Sequence, residues 1–334
     1  MSGISAGSGR RRWWWAALQL VLGVSLACAL GWLVKGTVAL VAEHSVPSGW
    51  KVIRPPYEVS ALAVQGDVVW AGGRDGRAAF DGRDGRAHPL PPGAPRFSYV
   101  RDLLADRQGR LWIAHSAGVT CYSSGEWKNF LPTDGVLPGP ATALCEDRNG
   151  GIWAGTESGV MRYNGRSWQI FTGRDGLSTP GVDVIYQDRE GVMWFGSASP
   201  THGGLTRYDG KSWQAYTVKD GLAHNSVNAI VQAGDGTLWV ATGFADQGGV
   251  SRLSGGVWET LTRRDGLAGE KARSLYQDRQ GRIWVGSEYD GAAVYDGTAW
   301  RVLTPKQGLS GWEVKEIVQD NGGAYWIGTE NGLR

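Results

Sequence analysis

Residues 182–217 carry the pattern that organises this chain. Val182-Asp-Val184-Ile-Tyr186-Gln alternates apolar and polar positions as a half-buried strand does. Asp188-Arg-Glu-Gly191 predicts a tight turn in which glycine takes a positive φ, and Val192-Met-Trp194-Phe-Gly196-Ser a second strand. After a loop, Gly204-Leu-Thr-Arg-Tyr208 predicts a third strand, Asp209-Gly210 a turn, and Trp213-Gln-Ala-Tyr216-Thr a fourth. The unit is a four-stranded antiparallel meander. It recurs: Trp70, Trp112, Trp153, Trp194, Trp239, Trp284 and Trp326 succeed one another at spacings of 42, 41, 41, 45, 45 and 42 residues. A period in this range marks stacked supersecondary units.

One such sheet buries too little apolar surface alone, so copies must pack face to face, and radial closure protects their edges. Two residues past each period tryptophan, on the same strand face, stands Gly or Ala: Gly72, Ala114, Gly155, Gly196, Ala241, Gly286 and Gly328. A bulky indole beside a small neighbour suits interlocking sheets near a crowded axis. The tryptophans are therefore read as core, and the fold class as an all-β, seven-bladed β-propeller of four-stranded antiparallel blades, the last incomplete. Trp50-Lys-Val-Ile-Arg54 matches the outermost strand Trp168-Gln-Ile-Phe-Thr172 but has no preceding strands of its own. It is expected to complete the seventh blade. Blade one departs from the pattern, with no tryptophan after Phe80-Asp81-Gly82 and Gln65-Gly66-Asp67 at its first turn, and Ala233 replaces the turn aspartate of blade five.

The repeat text resembles the propeller repeats of two-component regulators. Arg162-Tyr163-Asn164-Gly165-Arg-Ser-Trp168, Arg207-Tyr208-Asp209-Gly210-Lys-Ser-Trp213 and Asp220-Gly221-Leu222 carry the resemblance, which covers residues 50–334. It implies an extracytoplasmic sensor domain of a membrane receptor, with a small β-sandwich and a kinase or regulator output C-terminal to it. No histidine-kinase box, nucleotide-binding Gly-rich segment or receiver pattern is present, and the text stops at Gly332-Leu333-Arg334 inside a third strand. The chain is expected to continue beyond that point.

Charge and the N-terminus place the domain. With 34 Lys and Arg against 32 Asp and Glu, no excess basic charge remains to hold a polyanion, which argues against nucleic acid. Residues 1–12 read as a cytoplasmic tail ending in Arg10-Arg11-Arg12; residues 13–34 are uncharged and long enough to span a bilayer as one helix. The arginines before the span and Trp13-Trp14-Trp15 at its edge favour export of the residues C-terminal to it. A cleaved signal peptide is the alternative, but Ala27-Cys28-Ala29 lies inside the apolar run rather than after it. Residues 35–49 read as linker, residues 50–334 as the propeller, and the localisation as a single-pass cell-membrane protein. Of the cysteines, Cys121 and Cys145 fall in apolar strand text, so no disulfide framework is expected.

Three function classes remain: ligand sensor, protein-binding scaffold, and propeller lyase or glycosidase. A sialidase would need convergent arginines, a tyrosine nucleophile and acid carboxylates. Arg107, Arg148, Arg189 and Arg279 instead sit at repeat positions and read as turn surface. A lyase would need a histidine base near the axis, and only His202 and His224 stand in suitable loops. The sensor reading is preferred, with no catalytic residues, metal or cofactor. Loops joining strands two and three, and strand four to the next blade, share a face and vary in chemistry as binding loops do. The longest are expected at Ser197–Gly204 and Thr242–Gly249. Candidate ligand residues there are His202, His224, Asn225, Phe244, Asp246, Gln247, Glu288, Tyr289, Asp290 and Trp312, a mixture that suits a small polar ligand such as a saccharide. The membrane is the second partner, and a homodimer is expected if the chain belongs to a receptor.

Overall fold

The structure, a computed structural model, describes residues 50–334. The expected tail, span and linker lie outside the described residues. No helix among the described residues is long and apolar enough to cross a membrane.

Seven antiparallel sheets succeed one another in chain order. The first is β1 (Ala61–Gln65), β2 (Val68–Gly73) and β3 (Gly76–Asp81). Five four-stranded sheets come next: β4 (Val100–Ala105) to β7 (Glu126–Phe130), β8 (Ala141–Glu146) to β11 (Trp168–Phe171), β12 (Val184–Gln187) to β15 (Trp213–Tyr216), β16 (Val227–Gln232) to β19 (Val257–Leu261), and β20 (Ala272–Gln277) to β23 (Trp300–Leu303). The seventh holds β24 (Val314–Gln319), β25 (Tyr325–Thr329) and β26 (Gly332–Leu333). The sequence expectation of four strands fails for blade one. Its fourth position is reduced to a single bridge, Phe80 to Ala87, because Pro89, Pro91, Pro92 and Pro95 come directly after and proline cannot donate to a ladder.

The hydrophobic core lies between the blades. Each period tryptophan packs forward: Trp112 meets Ala141, Leu144 and Ile152 of the next sheet, and Trp326 meets Val59, Leu62 and Val69 of the first, which closes the ring. The small residue beyond each tryptophan is required by that approach. A Cβ on Gly328 would stand 2.8 Å from Val59 Cγ1, inside van der Waals contact. The expected clasp is present too: Ile53 and Leu333 exchange both backbone hydrogen bonds, at 2.9 and 3.2 Å.

The Asp-x-x-Gly turns explain the tryptophan period. In blades two, three, four, six and seven the indole Nε1 donates to the turn carboxylate six residues earlier, at 2.7–2.9 Å (Trp112 to Asp106 through Trp326 to Asp320). Blade one substitutes Gln65, which accepts from Trp70 at 3.0 Å. The arginine after the aspartate is more than turn surface. Arg189 donates Nη1 to Gly234 O at 2.9 Å and Arg279 donates Nη1 to Asn321 O at 3.1 Å, each fastening its turn to that of the next blade.

Candidate functional site: the axial cavity and its rim

The innermost strands share a local irregularity that selects what faces the axis. In blade two Val100 pairs with His115 and Asp102 with Ala114, leaving Arg101 as the extra residue of a β-bulge. The same shift leaves Thr142, Asn228, Arg273 and Lys315 unpaired in blades three, five, six and seven. Bulges re-aim a side chain, and here they send one residue per blade toward the centre. Ser60 and Asp183 hold the corresponding places in blades one and four, just before β1 and β12. All seven line one cavity of about 360 Å³.

Packing accounts for some of these residues and not others. Ser60 Oγ donates to Val100 O at 3.0 Å, Thr142 Oγ1 to Val182 O, and Asn228 Nδ2 to Ala272 O at 2.8 Å. Each side chain thus staples its blade to the next, at its first strand or directly before it. In blade six the neighbouring Ser274 makes that bond, to Val314 O at 2.9 Å, and Arg273 is released. Arg101, Asp183, Arg273 and Lys315 are charged where a short hydroxyl or amide serves the fold.

Two of them feed an ion-pair chain along the rim. Lys315 Nζ lies 2.9 Å from Glu58 and 3.2 Å from Glu313; Arg273 reaches Glu313 at 3.0 Å and Glu288 at 2.7 Å; Lys271 Nζ reaches Glu288 at 3.3 Å. Burial pushes the Glu288 carboxyl up, but Arg273 and Lys271 outweigh it and hold the group below its usual range. Lys271 also stands 5.8 Å from the ring centres of both Phe244 and Tyr289, so two exposed aromatics flank one cation.

The other ionisable groups in the cavity form no ion pair among the described residues. Arg101 forms no ion pair among the described residues; it lies over the Tyr99 ring at 5.2 Å, and its buried Nε has no hydrogen-bond partner. Asp183 accepts from Ala198 N at 2.7 Å, and Asp102 from Leu144 N at 2.6 Å and Leu103 N at 2.7 Å. Neither has a cation within ion-pair distance, and neither does Glu316. Asp102 and Glu316 both line the cavity. Desolvation pushes Asp102 up to about 7 and Glu316 up to about 8, and raises Asp183.

The sequence-derived candidates separate into groups. Glu288, Tyr289, Asp290 and Trp312 do come together, lining an open cavity with Glu313 and Glu330. Glu330 accepts from the amides of Trp312 and Glu313 at 2.9 and 3.0 Å, fixing that corner. His202 is exposed and bonded within its own loop, to Thr201 and Ser199. His224 Nδ1 accepts from Ser226 N at 2.9 Å and Asn225 Oδ1 from Val218 N at 2.9 Å, so both hold loop geometry. The expected long loop at Thr242–Gly249 is instead a continued hairpin: β17 (Leu238–Phe244) and β18 (Gln247–Ser254) pair through Phe244 and Gln247, with Ala245-Asp246 as a two-residue turn. Ala245 takes φ 50° there, and the glycines at 243, 248 and 249 let two backbones run close together. The axial residues escaped the sequence reading. Their signal was a polar column, one per repeat, directly after the first apolar residue of each inner strand.

The model of the two component regulator propeller family matches residues 135–158, 221–244 and 266–289. Those three segments match the two component regulator propeller repeat. Its fold resembles the extracellular domains of two hybrid two component systems of B. thetaiotaomicron. One has TM-score 0.72 and 21% identity over 83% of this chain and 38% of that one; the other has 0.68 and 17%, over 85% and 39%. This propeller therefore spans about two-fifths of the length of those domains. Virginiamycin B lyase from Staphylococcus aureus, solved with quinupristin, has TM-score 0.65 and 13% identity, over 85% of this chain and 96% of that one. That likeness extends to the fold, and no histidine lines the axial cavity among the described residues. No curated protein matches the chain.

Proposed function

We propose that this propeller is the extracytoplasmic ligand-binding domain of a membrane-anchored signalling receptor. It recognises a small polar molecule on the loop face, where Arg273 of the axial cavity meets Glu288. The observation that carries the reading is the replacement of blade staples by charged residues at Arg101, Asp183, Arg273 and Lys315, which adds polar chemistry the fold does not need. The pocket of Glu288, Tyr289, Asp290 and Trp312 beside it offers rings for the apolar face of a saccharide and carboxylates for its hydroxyls. Export and anchoring rest on the arginines at 10–12 and the uncharged residues 13–34, and a homodimer would accompany the receptor role.

A reporter fused at residue 60 tests the topology, and cytoplasmic activity there overturns the anchor. A saccharide screen on the purified chain tests recognition, read against Asp246→Ala, Tyr289→Ala and Trp312→Ala. Binding indifferent to all three places the saccharide elsewhere. A scaffold role is the second reading, favoured by Phe244, Tyr289 and Trp312, each about half exposed. A protein partner would bury all three rings together.

A further inference from the structure

The axial cavity holds a guanidinium and three carboxyl groups that are not joined in ion pairs, although the Arg101 charge reaches Asp183. Arg101 contributes a guanidinium, and Asp102, Asp183 and Glu316 contribute carboxyl groups; none of the four forms an ion pair among the described residues. Arg273 and Lys315, lining the same cavity, each have two carboxylate partners. The contrast lies within one wall. Where the chain needs a neutralised cation it supplies the acid, so leaving Arg101 free is not a general shortage of carboxylates.

A neutral polyol would leave Arg101 and Asp183 unmatched, a simple anion would meet Asp183, and a simple cation would meet Arg101. A molecule bearing a carboxylate and an ammonium satisfies both sets. The planar guanidinium matches a carboxylate bidentately, and charge-assisted bonds in a confined site are the strong ones. The volume of about 360 Å³ is at the small end for ligand pockets.

We propose that the axial cavity binds a small zwitterion of the amino-acid class, its carboxylate held by Arg101 and its ammonium by Asp183, with the carboxyl oxygens of Asp102 and Glu316 on the same cavity lining. The site differs from the rim pocket of Tyr289 and Trp312, and its physiological meaning rests on the receptor reading given above. Arg101 stands on β4 and Asp183 directly before β12, each flanked by residues buried between blades (Val100 and Leu103, Val182 and Ile185), so the two charges keep a set separation.

The test uses the full-length chain in detergent micelles, with thermal unfolding measured as the common L-amino acids are added one at a time at millimolar concentration. A ligand that binds only the folded state raises the midpoint. At least one amino acid should do so, and its N-acetyl and carboxamide derivatives, each lacking one charge, should bind at least about tenfold more weakly by calorimetry. Arg101→Gln should abolish the shift and Arg101→Lys restore part of it, with circular dichroism confirming that both variants fold. The inference is overturned if no amino acid raises the midpoint, or if the shift persists undiminished in Arg101→Gln. Galactose in the same assay separates the two readings. If galactose binds and amino acids do not, the receptor reading stands and the axial zwitterion falls; if neither binds, both fall.

Discussion

The guanidinium of Arg252 lies 5.1 Å from the ring centre of Trp239, and neither its Nε nor the indole Nε1 has a hydrogen-bond partner. In blade three the corresponding pair is Arg162 and Trp153. There Arg162 Nε donates to Asp147 Oδ2 at 2.7 Å and the indole to the same oxygen at 2.9 Å. The register is identical, Trp153 opposite Arg162 and Trp239 opposite Arg252. The difference is one residue, Ala233 in place of the turn aspartate.

Ala233→Asp should therefore stabilise the protein by about 1–2 kcal/mol, since it supplies an acceptor to two buried donors. The reverse change, Asp147→Ala, orphans Trp153 Nε1, Arg162 Nε and the amides of Asn149 and Gly151, and should cost about 3 kcal/mol. Denaturant midpoints of the two variants against the parent measure both. A neutral or destabilising Ala233→Asp would mean that Arg252 and Trp239 are satisfied in some other way.

The architecture was legible in the sequence because it is written seven times. Period, strand order, small-residue rule and the exceptions at Gln65 and Ala233 all emerge from comparing copies, and each has a physical counterpart in the turn and the blade interface. The axial site was not legible for the opposite reason. Arg101, Asp183 and Lys315 differ from one another, and nothing in an alternation pattern marks a bulge that turns them inward. Loop chemistry found Glu288, Tyr289, Asp290 and Trp312, which lie near one another along the rim. It misjudged Thr242–Gly249, where glycines read as loop allow a tight hairpin instead.

Gly196→Ala should cost roughly 1–3 kcal/mol despite adding only a methyl group. The new Cβ would stand 2.5 Å from Val184 Cγ1 and closer still to Val227, both on innermost strands. The backbone there has no positive φ, so the penalty is steric alone. Pairing it with Val227→Ala should recover part of the loss by opening space, a coupling that a double-mutant cycle resolves. Additive effects would show that the contact is relieved by movement elsewhere.

Ring closure depends on Ile53 and Leu333. Ile53→Pro removes the amide that donates to Leu333 O at 2.9 Å and should lower stability by about 1–2 kcal/mol. Hydrogen exchange distinguishes clasp opening from a general loss, because protection of the Leu333 amide should fall far more than that of Ile113 in β5 (Leu111–His115) of the second blade. Equal loss at both positions would mean that the ring unfolds as one unit without a weak point.

Stability should decline as pH rises toward 8, and the axial carboxyls set the sign. Glu316 is raised by desolvation from 4.5 to about 8 and Asp102 from 3.8 to about 7. Between the unfolded and folded values the folded protein holds protons that the unfolded chain has released. The slope of unfolding free energy with pH is then negative, and stability present below about pH 4 is lost progressively up to about pH 8. Glu316→Gln keeps the shape and stays uncharged, so it should flatten this decline and exceed the parent in stability at pH 8. The gain is on the order of 1–3 kcal/mol, reduced by the water that enters the cavity. Arg101→Gln should steepen the decline, because the Arg101 charge counters the desolvation that raises Asp183. Urea titrations of the three proteins at pH 5 and pH 8 decide it. Parallel pH dependence in parent and Glu316→Gln would show that Glu316 is ionised in the folded protein, with a cation or ordered water at its carboxylate.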